Sequence, residues 1–242
     1  MLKFIFFAAV VIAAVIFIMF MRGVLTKEFF VRKAVADHGK TRGEVLYDFD
    51  QAKVLADAYV KDILELGHVQ FVLWPTKDLK YIDFTTPTVC RIVVFPPSWI
   101  YHLASPEGEK WRTAFVQSVG HECGHTYDPF KDLFFYFRRR SERRLFYYLR
   151  EVRNDFLGTA LAEKALGVTR KCVLSDMLKK VKIYTFGKKD EDHFRHPAWK
   201  FRRSMLKKYD RFDERVCDAI HKRSKCQNDA YYQRLKAKFL SF

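Results

Sequence analysis

One unbroken apolar run lies near the start of the chain. Phe4–Met21 contains 18 consecutive nonpolar side chains, with Lys3 before the run and Arg22 after it. A helix of that length rises about 27 Å, which is close to the thickness of the hydrocarbon core of a bilayer. No small-x-small cleavage site follows the run, so the pattern favours an uncleaved transmembrane anchor (residues 1–22) over a cleaved signal peptide.

After this run the pattern changes to short amphipathic elements. Residues 23–47 are polar and charged, and we expect them to form a juxtamembrane connector. β-branched and aromatic runs at 69–74 and 89–95, bounded by prolines, predict two strands. Apolar positions spaced three and four apart predict helices at 48–66, from Ser105 past Val119, at 141–167, and from Pro197 onward. We therefore expect one α+β domain over residues 48–242, with a basic helical C-terminal region.

Charge is concentrated in the second half of the chain. Residues 126–242 contain 30 of the 44 lysines and arginines but only 15 of the 28 acidic residues, so this half favours an anionic surface. Among such surfaces we expect lipid rather than nucleic acid, because no helix-turn-helix, zinc-finger or aromatic RNA-binding motif is present. A hydrophobic content of 49% excludes a disordered or collagen-like chain.

The same charges predict the orientation of the anchor. More cationic residues follow the apolar run than precede it, so the positive-inside rule predicts a single-pass protein with a cytoplasmic domain. The five cysteines agree with this compartment, because they are widely spaced and form no CxxC pair.

A pentapeptide in the second predicted helix carries the clearest chemical signal. His121-Glu122-Cys123-Gly124-His125 matches the pattern HExxH. Two histidines four residues apart lie on one helix face, so both imidazoles can reach one metal ion. Glu122 lies at the edge of that face, near the position of a metal-bound water. Three protein ligands and one water make a catalytic zinc site. The alternative is a helix that carries two unrelated histidines.

A third ligand is available on the next long helix. Glu151 follows HExxH by 26 residues and begins the pattern ExxxD, which ends at Asp155. The two carboxylates share a helix face, so Glu151 can ligate the metal while Asp155 accepts a hydrogen bond from a ligating imidazole. The alternative is an exposed acidic pair on a basic helix.

Together these residues resemble the gluzincin metallopeptidases, and in particular the membrane-associated family of HtpX-like quality-control proteases and CaaX prenyl endopeptidases. The run His196-Pro197-Ala-Trp-Lys-Phe-Arg202 also matches the HPxxxxR motif of that family. The resemblance implies a mostly helical zincin domain with a small antiparallel sheet. Members of that family often carry further transmembrane helices, whereas in this sequence we expect only the N-terminal span.

The resemblance also implies a metal site and its chemistry. One zinc ion per chain would be bound by His121, His125 and Glu151, and Glu122 would be the general base for a zinc-activated water. Asp155 would orient one of the ligating histidines.

The same resemblance implies roles for further residues. His196 would lie near the oxyanion, and Arg202 would hold His196 or Asp155 in place. The strand at 89–95 occupies the place of the family's edge strand, so extended substrate would pair with Ile92, Val93 and Val94.

The segment Phe134–Arg150 alternates aromatic blocks with arginines and allows two interpretations. It is either a core-facing helix with a solvated basic side, or a segment that lies on the bilayer as a second membrane contact.

The sequence thus predicts a membrane-anchored zinc endopeptidase that cleaves membrane or misfolded proteins. The alternative is a non-enzymatic, membrane-tethered basic adaptor whose metal site is structural or absent.

Overall fold

The chain folds into a mostly helical structure, which is a computed structural model that describes residues 2–65, 67–80, 92–129, 134–185 and 190–241. Its elements, in chain order, are α1 (Leu2–His38), α2 (Arg42–Leu64), β1 (Gln70–Leu73), β2 (Ile92–Phe95), α3 (Ser98–Leu103), α4 (Gly108–Gly124), α5 (Arg140–Leu166), α6 (Arg170–Thr185), α7 (Trp199–Lys208), α8 (Glu214–Ser224) and α9 (Asp229–Leu240). Two 3-10 turns, His125–Tyr127 and Phe135–Phe137, lie between α4 and α5.

β1 and β2 form a two-stranded parallel sheet, in which Gln70 pairs with Ile92 and Leu73 with Phe95. The prediction of an antiparallel sheet is therefore wrong for the strands that the structure describes. Residues 74–91 separate the strands, which is more than the dozen or so residues that a parallel crossover connection needs. The sequence did not predict the direction, because the periodicity of a strand is the same in parallel and antiparallel sheets. The start of the second predicted strand, 89–91, lies outside the described residues.

α1 continues from the apolar run into the protein core without a break. Apolar side chains such as Phe17 and Leu25 are exposed, whereas Phe30, Val31 and Ala34 are buried. Within the described part of the chain, one helix, Val10–His38, is long and apolar enough to cross a membrane, and a membrane anchor and a signal sequence both fit it.

The residues predicted to be a connector, 23–47, are the end of α1 and the start of α2. α2 begins at Arg42 because Thr41 and Glu44 form a capping box, in which the Thr41 hydroxyl accepts from the Glu44 amide and the Glu44 carboxylate accepts from the Thr41 amide. The division into anchor, connector and domain stays a prediction.

α4 and α5 approach each other closely through glycines. A Cβ atom added at Gly158 would lie 2.3 Å from the carbonyl oxygen of Gln117, and one added at Gly120 would lie 2.9 Å from the Gly158 Cα. Only a hydrogen atom fits at such distances. The facing sides of α4 and α5, which carry the HExxH and ExxxD motifs, are therefore held in one buried layer.

α5 also joins two hydrophobic clusters. Its C-terminal part contributes Leu161 and Ala162 to a cluster built with α1–α4, α6 and the sheet. Its N-terminal part contributes Leu145–Leu149 to a second cluster with α7, α8 and α9. The ExxxD motif lies on α5, which joins the two clusters, and the HExxH motif lies on α4, which belongs to the first.

The segment Phe134–Arg150 divides into two parts in the structure. Leu145–Leu149 are buried, so the helical part follows the core-facing interpretation. Phe134, Tyr136 and Phe137, just before α5, are exposed. Membrane contact by this segment stays a prediction.

Candidate metal centre

Three buried side chains from α4, the following 3-10 turn and α5 converge on one point. The donor atoms of His121, His125 and Glu151 all lie within 4.8 Å of one another. His121 Nε2 is 3.4 Å from Glu151 Oε2, and His125 Nε2 is 3.9 Å from Glu151 Oε1. The structure thus brings together the three ligands that the two motifs predicted.

One of these separations matches that expected for a tetrahedral metal. Two donors about 2.1 Å from a tetrahedral ion lie about 3.4 Å from each other. The separation between His121 Nε2 and Glu151 Oε2 equals this value, and the other donor separations are wider, within 4.8 Å. The donor set of two imidazoles and one carboxylate is also one that zinc accepts.

Each imidazole is oriented by a carboxylate on its far side. His121 Nδ1 lies 2.9 Å from Asp155 Oδ1, and His125 Nδ1 lies 2.7 Å from Asp128 Oδ2. When Nδ1–H donates to a carboxylate, the Nε2 lone pair is left for a metal. Both Nε2 atoms are the ones that approach Glu151, so both rings have the orientation that metal binding requires.

The site keeps the Glu151 carboxylate ionised. Burial by itself would lower the pKa of His121, but hydrogen bonds to Asp155 and Glu151 raise it to about 9. Burial would likewise raise the pKa of Glu151, but hydrogen bonds from His121 and His196 hold that pKa well below its usual value. Buried negative charge of this kind favours a cation.

Two arginines form hydrogen bonds that hold Asp155 and the 3-10 turn after α4 in place. Arg202 donates to both oxygens of Asp155, from Nε at 2.6 Å and from Nη2 at 2.5 Å. Burial would raise the pKa of Asp155, but the Arg202 charge and the hydrogen bond to His121 lower it. Arg153 donates to the carbonyl oxygens of Gly124 and Tyr127, both at 3.0 Å, and so ties the turn that carries His125 to α5.

Sequence reasoning missed Asp128, Arg153 and Asn154. The first two fix His125 as described, and the side-chain amide of Asn154 donates to Asp128 Oδ1 at 3.3 Å. For Arg153 and Asn154 one signal was available, because Glu151–Asp155 places four polar residues within five positions. All four are buried in the structure, so the alternative of an exposed acidic pair is excluded.

Comparison of the chain with protein-family models, with curated proteins and with solved structures finds no match. Functional assignment therefore depends on the site itself. The chain has a buried His–His–Glu group that could hold a metal ion.

The other predicted site residues surround this group. Glu122 is half-buried beside His121 on α4. His196 Nδ1 lies 3.1 Å from Glu151 Oε2, and its side chain is 53% exposed, so the group has a solvent-facing side. Arg202 contacts Asp155, one of the two partners expected for it. The catalytic roles of these residues stay predictions.

The predicted substrate strand lies next to α4. Ile92 and Val94 are half-buried, whereas Val93 is fully buried in the core. β2 is fixed against α4 by the rings of Phe95 and Phe115, whose centroids are 5.7 Å apart. Substrate pairing with this strand stays a prediction.

Cys123 lies inside the HExxH pentapeptide but has no reactive character. Burial, followed by the charge of Glu122, raises the pKa of its thiol to about 12. A thiol that stays protonated at neutral pH is a poor nucleophile.

Proposed function

We propose that this protein is a zinc endopeptidase, anchored in a membrane by α1 with its catalytic domain on the cytoplasmic side. The observation that supports the proposal most strongly is the convergence of His121, His125 and Glu151, with both Nε2 atoms directed at the Glu151 carboxylate. This is the ligand set of the gluzincin peptidases, which the sequence resembles.

The donor chemistry supports zinc over other common ions. Calcium and magnesium prefer sites built from oxygen alone, whereas this group offers two nitrogens and one carboxylate. Structural zinc sites use four protein ligands, and among the described residues this group supplies three. Three protein ligands therefore support a catalytic zinc site. A non-enzymatic adaptor, the alternative function, would be expected to have a structural site with four.

The residues around the group support a hydrolytic mechanism. A zinc ion bound there would supply a Lewis acid that activates water and polarises the scissile carbonyl. Glu122 accepts a proton from the attacking water and returns it to the leaving amine. Asp155 and Asp128 keep the two imidazoles in the required tautomer, and His196 donates a hydrogen bond to the developing oxyanion from the solvent-facing side.

Substrate access follows from the same arrangement. An extended segment of a membrane or misfolded protein pairs its main chain with β2, so cleavage has weak sequence selectivity from the backbone contacts alone. The exposed apolar side chains of α1, such as Phe6 and Phe17, support a location in the bilayer near such substrates.

Casein digestion by the zinc-loaded, detergent-solubilised protein tests the proposal. We expect Glu122→Gln to keep the zinc and to lower cleavage at least about a hundredfold, because the base is lost while the ligands remain. Glu109→Gln, an exposed residue on the same helix, is the control and should leave cleavage unchanged. Full activity of Glu122→Gln, or no cleavage by the zinc-loaded wild type, would contradict the proposal.

A further inference from the structure

A row of arginines and aromatic rings begins at the metal-binding group and runs along α5. Tyr147 lies one turn before Glu151, and its ring is contacted by the guanidinium groups of Arg150 at 5.3 Å and Arg195 at 5.7 Å. Arg195 directly precedes His196, whose ring contacts the Glu151 carboxylate. The row therefore starts beside the solvent-facing side of the metal-binding group.

The row continues through Phe194. The rings of Phe194 and Tyr147 are 5.6 Å apart, and the guanidinium groups of Arg140 and Arg143 lie 5.6 Å and 5.3 Å from the Phe194 centroid. Arg140 is exposed and Arg143 is half-buried. The arginine row consists of four residues: Arg140, Arg143, Arg150 and Arg195.

Three of these arginines have no counter-charge in the part of the chain that the structure describes. Arg140, Arg143 and Arg195 form no ion pair with a carboxylate there. The buried Nε atom of Arg143 also has no hydrogen-bond partner among these residues. Arg150 differs, because its Nη2 atom lies 3.0 Å from Glu151 Oε1.

Three acidic residues close to the row in sequence bind other groups. Glu142 lies within ion-pairing distance of Arg138 and accepts from Asn228. Asp190 accepts from two backbone amides at the start of α7, and Asp192 pairs with Arg223. These carboxylates therefore form no ion pair with the row, and two of its arginines, Arg140 and Arg195, are exposed to solvent.

We propose that the arginine row is a substrate-binding subsite for peptide segments that carry aspartate or glutamate close to the scissile bond; this inference rests on the proposed function. A guanidinium packed on an aromatic face loses little further freedom on binding and presents its N–H fork to a carboxylate. Such charge-assisted, bidentate contacts are among the stronger hydrogen bonds in proteins.

A peptide fits this row better than a lipid surface does. The rings of the row are covered by the guanidinium groups, and Tyr147 is itself buried, so the rings cannot insert into a bilayer. The row also adjoins His196 and thus the position where a scissile bond would lie.

Peptide binding to the detergent-solubilised, full-length Glu122→Gln protein tests the subsite without cleavage. Two fluorescent peptides are compared by anisotropy, one containing glutamates and the other glutamines at the same positions. We expect the acidic peptide to bind roughly tenfold more tightly at low salt, and the preference to shrink at high salt. Adding Arg143→Gln and Arg195→Gln should bring the ratio of the two affinities close to one, while Arg211→Gln, an exposed arginine elsewhere, should leave the ratio unchanged.

Two outcomes would overturn the inference. The first is equal binding of the two peptides by the protein with the unaltered row. The second is an acidic preference that survives in the variant that carries Arg143→Gln and Arg195→Gln. If that variant has also lost affinity for a water-soluble, short-chain phosphatidylserine, the row is a lipid contact. If the row binds acidic peptide as expected but zinc-loaded wild type cleaves neither peptide nor casein, the subsite stands and the proposed function fails.

Discussion

Asp128 and Asp155 each contact one of the two histidines of the His121–His125–Glu151 group. Each carboxylate lies within hydrogen-bonding distance of the Nδ1 atom of one ring, whose Nε2 atom faces Glu151. Orientation by such carboxylates adds to metal affinity, because the ring is held in the correct tautomer before the ion arrives.

Replacement of Asp128 tests its role directly. We expect Asp128→Asn to weaken zinc affinity roughly 10- to 100-fold, because the amide keeps the shape but loses the charge that holds the Nδ1 proton. Competition with a zinc chelator measures the change. Asp62→Asn, an exposed aspartate on α2, is the control, and unchanged affinity in Asp128→Asn would refute the assignment.

His102 should make stability depend on pH. Burial lowers the pKa of His102 from 6.5 to about 4. A hydrogen bond with the Leu79 carbonyl oxygen, at 3.2 Å, opposes this shift but is the smaller effect. The folded state therefore favours the neutral ring, so this contribution is complete above pH 6.5 and is lost as the pH falls toward 4. Between pH 7 and pH 5 we expect a loss of about 2 kcal/mol in the free energy of unfolding.

Urea unfolding of the wild type and His102→Gln at both pH values isolates this contribution. The glutamine can still donate to Leu79 but does not titrate, so the variant should lose less stability between pH 7 and pH 5. An equal loss in both proteins would show that His102 is not responsible.

Part of the site could be predicted from single residues and part could not. His121, His125, Glu151 and Asp155 are recognisable because a spacing of four places each pair on one helix face. Asp128 has no such signal, because it reaches His125 only through the 3-10 turn that follows α4.

At the scale of elements, the close contact of α4 with α5 sets the distance between the histidines and Glu151. We expect Gly158→Ala to destabilise the protein by roughly 1–3 kcal/mol, because the new methyl group would lie 2.3 Å from the Gln117 carbonyl oxygen and 2.8 Å from the His121 amide nitrogen. Zinc affinity should fall as well, since the helices must move apart.

Gly43→Ala is the matched control for this prediction. An added Cβ at Gly43 has its nearest neighbour at 3.9 Å, so the substitution should leave stability unchanged or raise it by up to about 1 kcal/mol. If both substitutions had the same effect on unfolding and on zinc binding, the close helix contact would not be important for the site.

We expect the C-terminal part of α1 to be needed for folding of the domain. Phe30, Val31 and Ala34 are buried in the first hydrophobic cluster, so removal of residues 1–22 should leave a folded domain while removal of residues 1–38 should not. Thermal unfolding measures both truncations. A cooperative transition at the same temperature in both would contradict this role for α1.

The elements were predictable to the extent that their periodicity is local. α5 was predicted almost to its ends, with Gly167 in the left-handed conformation that terminates a helix. The extension of α1 was missed because its buried stripe lies among charged residues such as Arg32 and Lys33. Strand direction was missed because it depends on the long connection at 74–91.

At the scale of the whole molecule, the His121–His125–Glu151 group lies where two hydrophobic clusters meet. α4 belongs to one cluster, and the part of α5 that carries Glu151 belongs to the other. A metal ion held by both helices would therefore stabilise the contact between the two parts of the protein, since binding to the folded state alone adds to stability.

Zinc content of the purified full-length protein tests the central claim most directly. We expect about one zinc ion per chain in the wild type and in Glu122→Gln, and a loss of most of this zinc in both His121→Ala and Glu151→Gln. Mass spectrometry for metals measures all four proteins, with circular dichroism to establish that each is folded. Folded wild-type protein without bound metal, or equal zinc in all four, would contradict the account.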